Sequence, residues 1–316
     1  MKITKDMINP ELRKVGALAR LLFHIRSERT FRFIQKLVKL LNSRKKPAGL
    51  DFEEKIIKTA NNPKLRLCIY KGKEEKPSDI GFLWIHGGGY GFGIPELDLT
   101  FINNFIKAKN CVIVSPDYRL SIEAPFPAAI DDCYDSLVWM KENAKELGIS
   151  RIFVGGESAG GGLTAAVCLM ARDKGEVNIS YQMPFYPMLD DRLTKSSTDN
   201  DAPMWNTKSN QEAWKIYLKE VYGTDVSKYA APARETDYTN LPPAYTFVGS
   251  IDPFLDETKA YIENLKNAGI EAELDIYPGC YHSFDYLCQK TSIAKKAIAK
   301  YIEKFKEAAE RYRVDI

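Results

Sequence analysis

The 316-residue sequence has no long apolar run and no signature of secretion. Nowhere do about 18 residues, the minimum for a membrane-spanning helix, pass without a charged side chain. The first ten residues, MKITKDMINP, also lack the apolar stretch of a secretory signal. We therefore expect a cytoplasmic protein without a membrane span.

Cysteine and histidine are both scarce. The six cysteines form no Cys-x-x-Cys pair, and no histidine lies at a spacing suited to zinc. Disulfide frameworks and zinc sites are not indicated, so we expect reduced thiols that lie mostly in the core. These thiols are Cys68, Cys111, Cys133, Cys168, Cys280 and Cys288. Only three residues, His24, His86 and His282, are available as a catalytic imidazole.

The composition is typical of a globular protein, and the N-terminal segment is strongly basic. Hydrophobic residues make up 45% and charged residues 28%, which is typical of a folded chain with a large core. The net charge is only +3, but residues 1 to 46 hold 13 Lys and Arg against 3 Asp and Glu, or +10. The remainder holds 32 against 39, or −7. This asymmetry requires an explanation.

Apolar residues recur at helical spacing within the basic segment. The pattern predicts two amphipathic helices, broken around Ser27 to Thr30. A basic amphipathic helix can rest on an anionic membrane or on nucleic acid, but no nucleic-acid motif accompanies the charge. We favour helices packed against the body with a solvated basic face, and we expect neither nucleic-acid binding nor stable membrane insertion.

From about Leu65 onward, short β-rich runs alternate with helical stretches. The predicted strands are LRLCIY, IGFLWIH, CVIVSP, RIFVGG, YQMPFYP, AYTFVG and AELDIYP, and helices are predicted to begin near Leu97, Ala128, Ala159, Asp256 and Ser292. The alternation predicts an α/β fold with a mostly parallel sheet covered by helices, and a site at the carboxyl ends of the strands. Residues from about 192 to 235 break the rhythm with a polar stretch and an aromatic helix, as an inserted lid would.

Ser158 is the candidate nucleophile. The run RIFVGGESAGGG passes from a strand through Gly-Glu-Ser-Ala-Gly into a helix of small residues, which is the context of a Gly-x-Ser-x-Gly elbow. Such a sharp turn brings the flanking backbone close to its neighbours, where a Cβ would collide. A glycine-rich turn with an incidental serine is the alternative, so further support has to come from a base.

His282 and Asp252 are the candidate partners of the serine. A hydroxyl needs a base such as imidazole, and His282 lies in a loop directly after the last predicted strand. The carboxylate that orients the imidazole is expected between the serine and the histidine, and Asp252 follows the strand AYTFVG. Asp256 suits a helix start better, and Asp275 lies inside a strand. The chain order Ser, Asp, His is that of the α/β-hydrolases.

The sequence WIHGGGYGFG supplies glycines directly after a strand. Main-chain N–H groups of glycines can approach a developing oxyanion without side chains intervening. We expect Gly88, Gly89 and Ala159 to be the donors, Gly87 to form the turn, and His86 to make a structural hydrogen bond. A phosphate-binding loop is not indicated, because neither glycine cluster is followed by Lys-Ser/Thr or matches Gly-x-Gly-x-x-Gly.

Several motifs together resemble the hormone-sensitive-lipase group of α/β-hydrolases, also called bacterial family IV esterases, from about Leu65 to the C-terminus. The motifs are HGGG at 86–89, DYRL at 117–120, PFPAAIDDC at 125–133, GESAGG at 156–161, YPMLDDR at 186–192, DPFLDE at 252–257 and YHSF at 281–284. One departure is visible: the family more often has Asp where this chain has Glu157, and we expect the negative charge to persist.

The resemblance implies an α/β-hydrolase fold and a carboxylesterase that needs no cofactor and binds no metal. It implies a triad of Ser158, Asp252 and His282, with Gly88, Gly89 and Ala159 as oxyanion donors. It also implies a helical cap, formed by residues 1 to 46 and by an insertion at about 192 to 235 within a catalytic domain of residues 47 to 316.

The expected reaction is hydrolysis of short-chain acyl esters through an acyl-enzyme, with a small-molecule ester as the substrate. Two alternatives stay open at this point. The basic helices would also suit a membrane-surface lipase for longer acyl chains, and the same fold can serve as a non-catalytic small-molecule-binding protein. The sequence leaves a homodimer open as well.

Overall fold

A central sheet flanked by helices organises the molecule, as seen in a computed structural model that describes residues 2–23, 25–42, 47–73 and 78–316. The described residues form one eight-stranded sheet in the order β1-β2-β4-β3-β5-β6-β7-β8. Strand β2 is antiparallel to β1 and β4, and all the other neighbours are parallel. The predicted mostly parallel α/β sheet is therefore confirmed.

The strands agree with the sequence pattern apart from one addition. Their bounds are β1 Asp51–Ile57, β2 Leu65–Lys71, β3 Ile80–Ile85, β4 Val112–Asp117, β5 Arg151–Glu157, β6 Tyr181–Phe185, β7 Ala244–Gly249 and β8 Ala272–Tyr277. The sequence pattern did not predict β1. It is an edge strand whose residues are mostly exposed, so it lacks the apolar run that marks the buried strands.

Ten helices lie in the described residues. They are α1 Arg13–Leu22, α2 Glu28–Asn42, α3 Leu99–Lys109, α4 Ala128–Glu142, α5 Ala144–Leu147, α6 Ala159–Lys174, α7 Thr207–Leu218, α8 Leu255–Asn267, α9 Phe284–Leu287 and α10 Ser292–Arg311. The two predicted N-terminal helices are present. Helix α1 ends at Leu22 and α2 begins at Glu28, which lies within the predicted break of Ser27 to Thr30. None of the helices in these ranges is apolar and long enough to cross a bilayer.

Alternate side chains of the central strands point to opposite sides of the sheet. On β3, Phe82 and Trp84 join one core cluster, while Leu83 and Ile85 join the other. The first cluster is aromatic: the ring of Phe82 lies 4.8 Å from that of Phe105 on α3 and 5.4 Å from that of Phe305 on α10. Helices α4, α6 and α8 cover the other side. Near-continuous apolar strands follow from this two-sided burial.

The parallel strands end at one edge of the sheet, and the loops that follow them carry the predicted site. Strand β3 is followed by His86, β5 by Ser158, β7 by the loop of Asp252, and β8 by the loop of His282. Because the carboxyl ends of parallel strands share an edge, segments that are more than 100 residues apart in sequence meet there. All six cysteines are buried free thiols, as expected.

Candidate active site

Ser158 lies at the sharp turn between β5 and α6. Its backbone has φ 59° and ψ −119°, a conformation that is strained for a residue with a side chain. The turn is stabilised by the Ser158 N–H, which donates to the carbonyl of Phe185 at 2.9 Å. A Cβ on Gly156 or on Gly160 would collide with the carbonyl oxygen of Ile85. The requirement for small neighbours is thus visible on both sides of the serine.

The predicted serine, histidine and aspartate meet in a hydrogen-bonded row. His282 Nε2 lies 2.8 Å from Ser158 Oγ, and its Nδ1 lies 2.8 Å from Asp252 Oδ2. The exposed fractions are 4% for Ser158, 2% for His282 and 1% for Asp252. An imidazole placed between a hydroxyl and a buried carboxylate can take the hydroxyl proton while the carboxylate holds its orientation.

Asp252 is held by its own loop. Its Oδ1 accepts the Phe254 N–H at 2.9 Å, which leaves Oδ2 for the imidazole. The two competing carboxylates are engaged elsewhere. Asp256 accepts the Ser196 N–H at 2.7 Å, and Asp275 accepts the Tyr245 hydroxyl at 2.9 Å. Of the three carboxylates weighed from the sequence, Asp252 is therefore the one bonded to His282.

The glycine loop after β3 faces this row. Gly88 has φ 111° and Gly89 has φ 57°, in the region that favours glycine. Within the described chain, the backbone N–H groups of Gly88, Gly89 and Ala159 have no hydrogen-bond partner. Gly87 differs in its surroundings, because an added Cβ there would lie 2.0 Å from a carboxyl oxygen of Glu157. The loop therefore presents two unpaired amides, and the start of α6 presents a third.

His86 fixes the glycine loop from inside. Its Nδ1 lies 2.8 Å from the carbonyl of Gly87, and its ring stacks on Tyr118 at 4.2 Å between centroids. Burial lowers the pKa of His86 to about 4, so the imidazole is neutral near pH 7. These contacts are those of a structural residue. The remaining histidine considered from the sequence, His24, lies outside the described residues.

Helix α2 holds the far end of the glycine loop, which the sequence reasoning missed. The Gln35 side chain donates to the carbonyl of Gly93 at 3.1 Å and accepts the Gly93 N–H at 2.8 Å. Phe31 fills the space beside Gly91, where an added Cβ would lie 2.5 Å from its ring. A buried glutamine on an amphipathic helix was the available signal, since buried polar side chains usually have a specific partner.

A group of three carboxyls lies near Ser158, of which Asp98 and Asp285 are buried and Glu157 is partly exposed. Burial raises the pKa of Glu157 well above its usual value, and the nearby Asp98 and Asp285 raise it further. Burial also raises the pKa of Asp98 to about 7, although its Oδ2 accepts the Trp84 indole N–H at 2.7 Å. Burial similarly raises the pKa of Asp285 to about 7. Burial and the two neighbouring carboxyl groups thus disfavour the negative charge that was expected at position 157.

A cavity of about 90 Å³ opens beside Ser158. The glycine loop, Ser158 and His282 line it, and the 192–235 segment contributes two large apolar side chains to its wall. These side chains are Met204 and Trp205. The Trp205 ring lies 6.2 Å from that of His282. The walls also include Phe92, Leu97 and Tyr286. The arrangement suits a small acyl group held between a nucleophile and backbone donors.

The fold and this site define the class of protein. A family model described as an alpha/beta hydrolase fold matches residues 82–286. A solved structure titled "Bacterial Heroin Esterase" superposes with a TM-score of 0.86 at 31% identity, covering 97% of this chain and 99% of that one. The hyperthermophilic esterase from Pyrobaculum calidifontis superposes with a TM-score of 0.82 at 27% identity, covering 96% and 99%. The class is that of the α/β-hydrolases.

Curated relatives narrow the class to a family. Carboxylesterase NlhH of Mycobacterium tuberculosis is 33% identical over 236 residues, which is 72% of this chain and 73% of NlhH. Esterase LipI of the same organism is 33% identical over 196 residues, and the chain spans 61% of its length. The chain belongs to the hormone-sensitive-lipase group of the α/β-hydrolase family, as the motifs predicted, and its enzyme class is carboxylesterase.

Proposed function

We propose that this enzyme hydrolyses short-chain acyl esters, with Ser158 as nucleophile, His282 as general base and acid, and Asp252 as the residue that orients the imidazole. Gly88, Gly89 and Ala159 donate their N–H groups to the oxyanion. The observation that carries the proposal is the pair of 2.8 Å contacts made by the two nitrogens of His282.

The reaction proceeds in two acyl transfers. Ser158 Oγ attacks the ester carbonyl as its proton moves to His282 Nε2, and the carbonyl oxygen becomes an oxyanion that the three N–H groups stabilise. The tetrahedral intermediate collapses, the alcohol leaves with the proton from Nε2, and the acyl group stays on Oγ. Water then attacks the acyl carbon, giving its proton to Nε2. The second collapse returns that proton to Oγ and releases the acid.

A short acyl group is proposed because of the size and the lining of the cavity. The space beside Ser158 is about 90 Å³, and rings of Phe92, Trp205 and Tyr286 bound it. Aromatic side chains with few rotatable bonds define a fixed wall, so the pocket does not readily lengthen for a long chain. Met204 and Trp205 of the 192–235 segment also line it.

Residues 1 to 46 and about 192 to 235 are proposed to form one composite cap on a catalytic domain of residues 47 to 316, and these two segments are called the cap below. Among the contacts that join them, Ser209 Oγ donates to the carbonyl of Ile25 at 3.1 Å, and Lys219 Nζ lies 3.1 Å from Glu28 Oε2. Both segments reach the glycine loop, through Phe31 at Gly91 and through Trp205 at Gly89.

Replacing the proposed nucleophile tests the reaction. Ser158→Ala should abolish hydrolysis of 4-nitrophenyl acetate, with a loss of about 10⁶ in kcat, because no other group attacks the ester. The wild-type enzyme should release a burst of nitrophenol if deacylation is the slower step. Ser283→Ala, a serine that also lines the cavity, is the matched control and should keep its activity.

Three outcomes of this test separate the candidate functions. A Ser158→Ala protein that is folded by circular dichroism and turns over at the wild-type rate would remove the assignment. A wild-type protein that binds esters without hydrolysing them would favour the non-catalytic binding protein. Higher kcat/KM for long acyl chains than for acetyl or butyryl esters would favour the lipase.

A further inference from the structure

The exposed apolar side chains are concentrated on the two N-terminal helices. Of the thirteen large hydrophobic residues that are exposed in the described part of the chain, eight lie between Val15 and Leu41. Leu40 is 78% exposed and Leu21 is 72% exposed. Single exposed leucines are ordinary, whereas a group of them on consecutive elements marks an interaction surface.

On α1 the exposed leucines lie opposite the buried face. Gly16 and Ala19 are buried, and an added Cβ on Gly16 would meet Tyr281 at 2.9 Å. Three leucines recur at i, i+3 and i+4 and point to the other side of the helix. They are Leu18, Leu21 and Leu22. The helix therefore packs through small residues and leaves its large ones in solvent.

On α2 the solvent side carries an apolar stripe beside a basic one. Phe31 and Gln35 face the glycine loop and are buried. At 100° per residue, the apolar stripe on the other side contains Phe33, Leu37, Leu40 and Leu41, which are all exposed. The adjoining basic stripe contains Arg29, Arg32, Lys36 and Lys39. The three leucines of α1 and the four apolar residues of this stripe are called the outer face below.

Part of this basic charge has no ion-pair partner among the described residues. Arg32 pairs with Glu28 at 2.6 Å and Lys39 lies 3.9 Å from Glu123. Four other basic side chains of α1, α2 and their connection form no ion pair with any carboxylate of the described residues. They are Lys14, Arg26, Arg29 and Lys36. Unpaired cations beside exposed leucines suit an anionic partner that also buries apolar surface.

We propose that the outer face docks peripherally on an anionic lipid surface. The leucines and Phe33 would enter the boundary between headgroups and acyl chains, and the unpaired basic side chains would lie against the anionic headgroups. A helix with an apolar stripe flanked by Lys and Arg is the form that lies in the plane of such an interface. The proposal concerns binding and does not rest on the proposed reaction.

Charge selects this partner over the two competing ones. In a symmetric dimer the same patch meets itself, so two copies of an outer face within a +10 segment would bring like charges together. Nucleic acid would neutralise the charge but gives the exposed leucines no apolar partner. A bilayer containing acidic lipids satisfies both features.

Cosedimentation of the full-length protein with vesicles tests the proposal. We expect binding to vesicles of phosphatidylcholine and phosphatidylserine in equal amounts, weaker binding to phosphatidylcholine alone, and a loss of binding as salt is raised. Each basic residue near such a surface raises partitioning about fivefold. Arg29→Gln with Lys36→Gln should therefore weaken binding about 25-fold, and Leu40→Gln with Leu41→Gln about tenfold or more.

Matched controls separate this face from a general surface effect. Ile56→Gln removes an exposed apolar residue from β1, and Lys296→Gln with Lys306→Gln removes two exposed charges from α10. Both control proteins should bind as the wild type does. Equal binding to neutral and anionic vesicles, no binding, or binding that the outer-face variants leave unchanged would overturn the proposal. A lipid-free dimer that Leu40→Gln with Leu41→Gln dissociates would assign the face to a second copy instead.

Discussion

The rim of the sheet and the cap differ in how their residues are held. At the rim, Ser158, Asp252 and His282 each lie in a turn or loop that follows a parallel strand, are at most 4% exposed, and are joined by 2.8 Å hydrogen bonds. The cap meets this rim through a few specific contacts, such as Gln35 with Gly93, and turns much of its apolar surface to solvent. The comparison indicates that the body holds the proposed catalytic residues, while the cap adds Met204 and Trp205 to the wall of the pocket.

The largest effect should come from the orienting carboxylate at the rim. Asp252→Asn keeps the shape but removes the charge that faces His282 Nδ1, so the imidazole loses both its tautomer preference and its stabilised charged form. We expect kcat to fall about 10⁴-fold in a 4-nitrophenyl acetate assay. Asp256→Asn is the matched control, because that carboxylate bonds a backbone N–H away from His282, and it should stay near the wild-type rate. Equal losses in the two variants would contradict the assignment.

A smaller loss of kcat is expected when the contact between α2 of the cap and the glycine loop is removed. Gln35→Leu leaves the N–H and carbonyl of Gly93 without their partner, so the glycine loop loses its anchor on α2. A shift of the amides by about 1 Å costs up to 10² in rate, and we expect kcat to fall about 10- to 100-fold with a smaller change in KM. Lys36→Leu, at the exposed neighbouring position, controls for the helix. An unchanged kcat in Gln35→Leu would show that the glycine loop keeps its conformation without this contact to α2.

The buried acids behind the nucleophile should make stability depend on pH. The folded-state pKa of Asp98 is about 7, above its ordinary value, so the folded protein binds that proton more tightly than the unfolded chain does. The stabilisation of the fold by protonated Asp98 is therefore fully present at low pH and is lost as pH rises from about 4 through 7. Asp98→Asn should raise Tm at pH 8 by several degrees, with a smaller difference at pH 5.

Thermal unfolding at the two pH values checks this prediction. Asp51→Asn, at an exposed position on the edge strand, is the control and should leave both Tm values unchanged. If Asp98→Asn lowers Tm at both pH values, the carboxylate is charged and bonded in the fold, and the neutral acid cluster is refuted.

The smallest effect should come from removing one hydrogen bond between the two cap segments. Ser209→Ala removes one hydrogen bond, from Oγ to the carbonyl of Ile25, and should cost about 1 kcal/mol in the free energy of unfolding. Urea denaturation measures this cost. The kcat for a soluble ester should hardly change. A loss of kcat as large as that of Asp252→Asn would contradict the difference drawn between the cap and the rim.

The sequence predicted the rim because its motifs have geometric causes. The Gly-x-Ser-x-Gly turn admits no Cβ at Gly156 or Gly160, and the loops of Asp252 and His282 follow parallel strands. These constraints are local, so a short stretch of sequence reveals them. Strands β2 to β7 were predictable for the same reason, since each one is a short and largely buried apolar run. Strand β8 was predicted as well, although most of its residues are half-buried or exposed.

The parts that were missed depend on distant partners. Gln35 is hydrogen-bonded to Gly93, which lies 58 residues away in sequence, and the spacing of apolar residues does not predict such a pair. The upward shift in the pKa of Glu157 arises from burial and from the nearby Asp98 and Asp285, which only the folded chain brings together. Strand β1 alternates exposed charged residues at a sheet edge and so lacks an apolar run.

The crystal structure of the enzyme after reaction with a 4-nitrophenyl alkylphosphonate tests the central claim most directly. The phosphonate stands in for the tetrahedral intermediate. The predicted result is a covalent bond from Ser158 Oγ to phosphorus, with one phosphonyl oxygen about 2.7–3.1 Å from the N–H groups of Gly88, Gly89 and Ala159. An unmodified Ser158, or an adduct whose oxygen points away from those three amides, would contradict it.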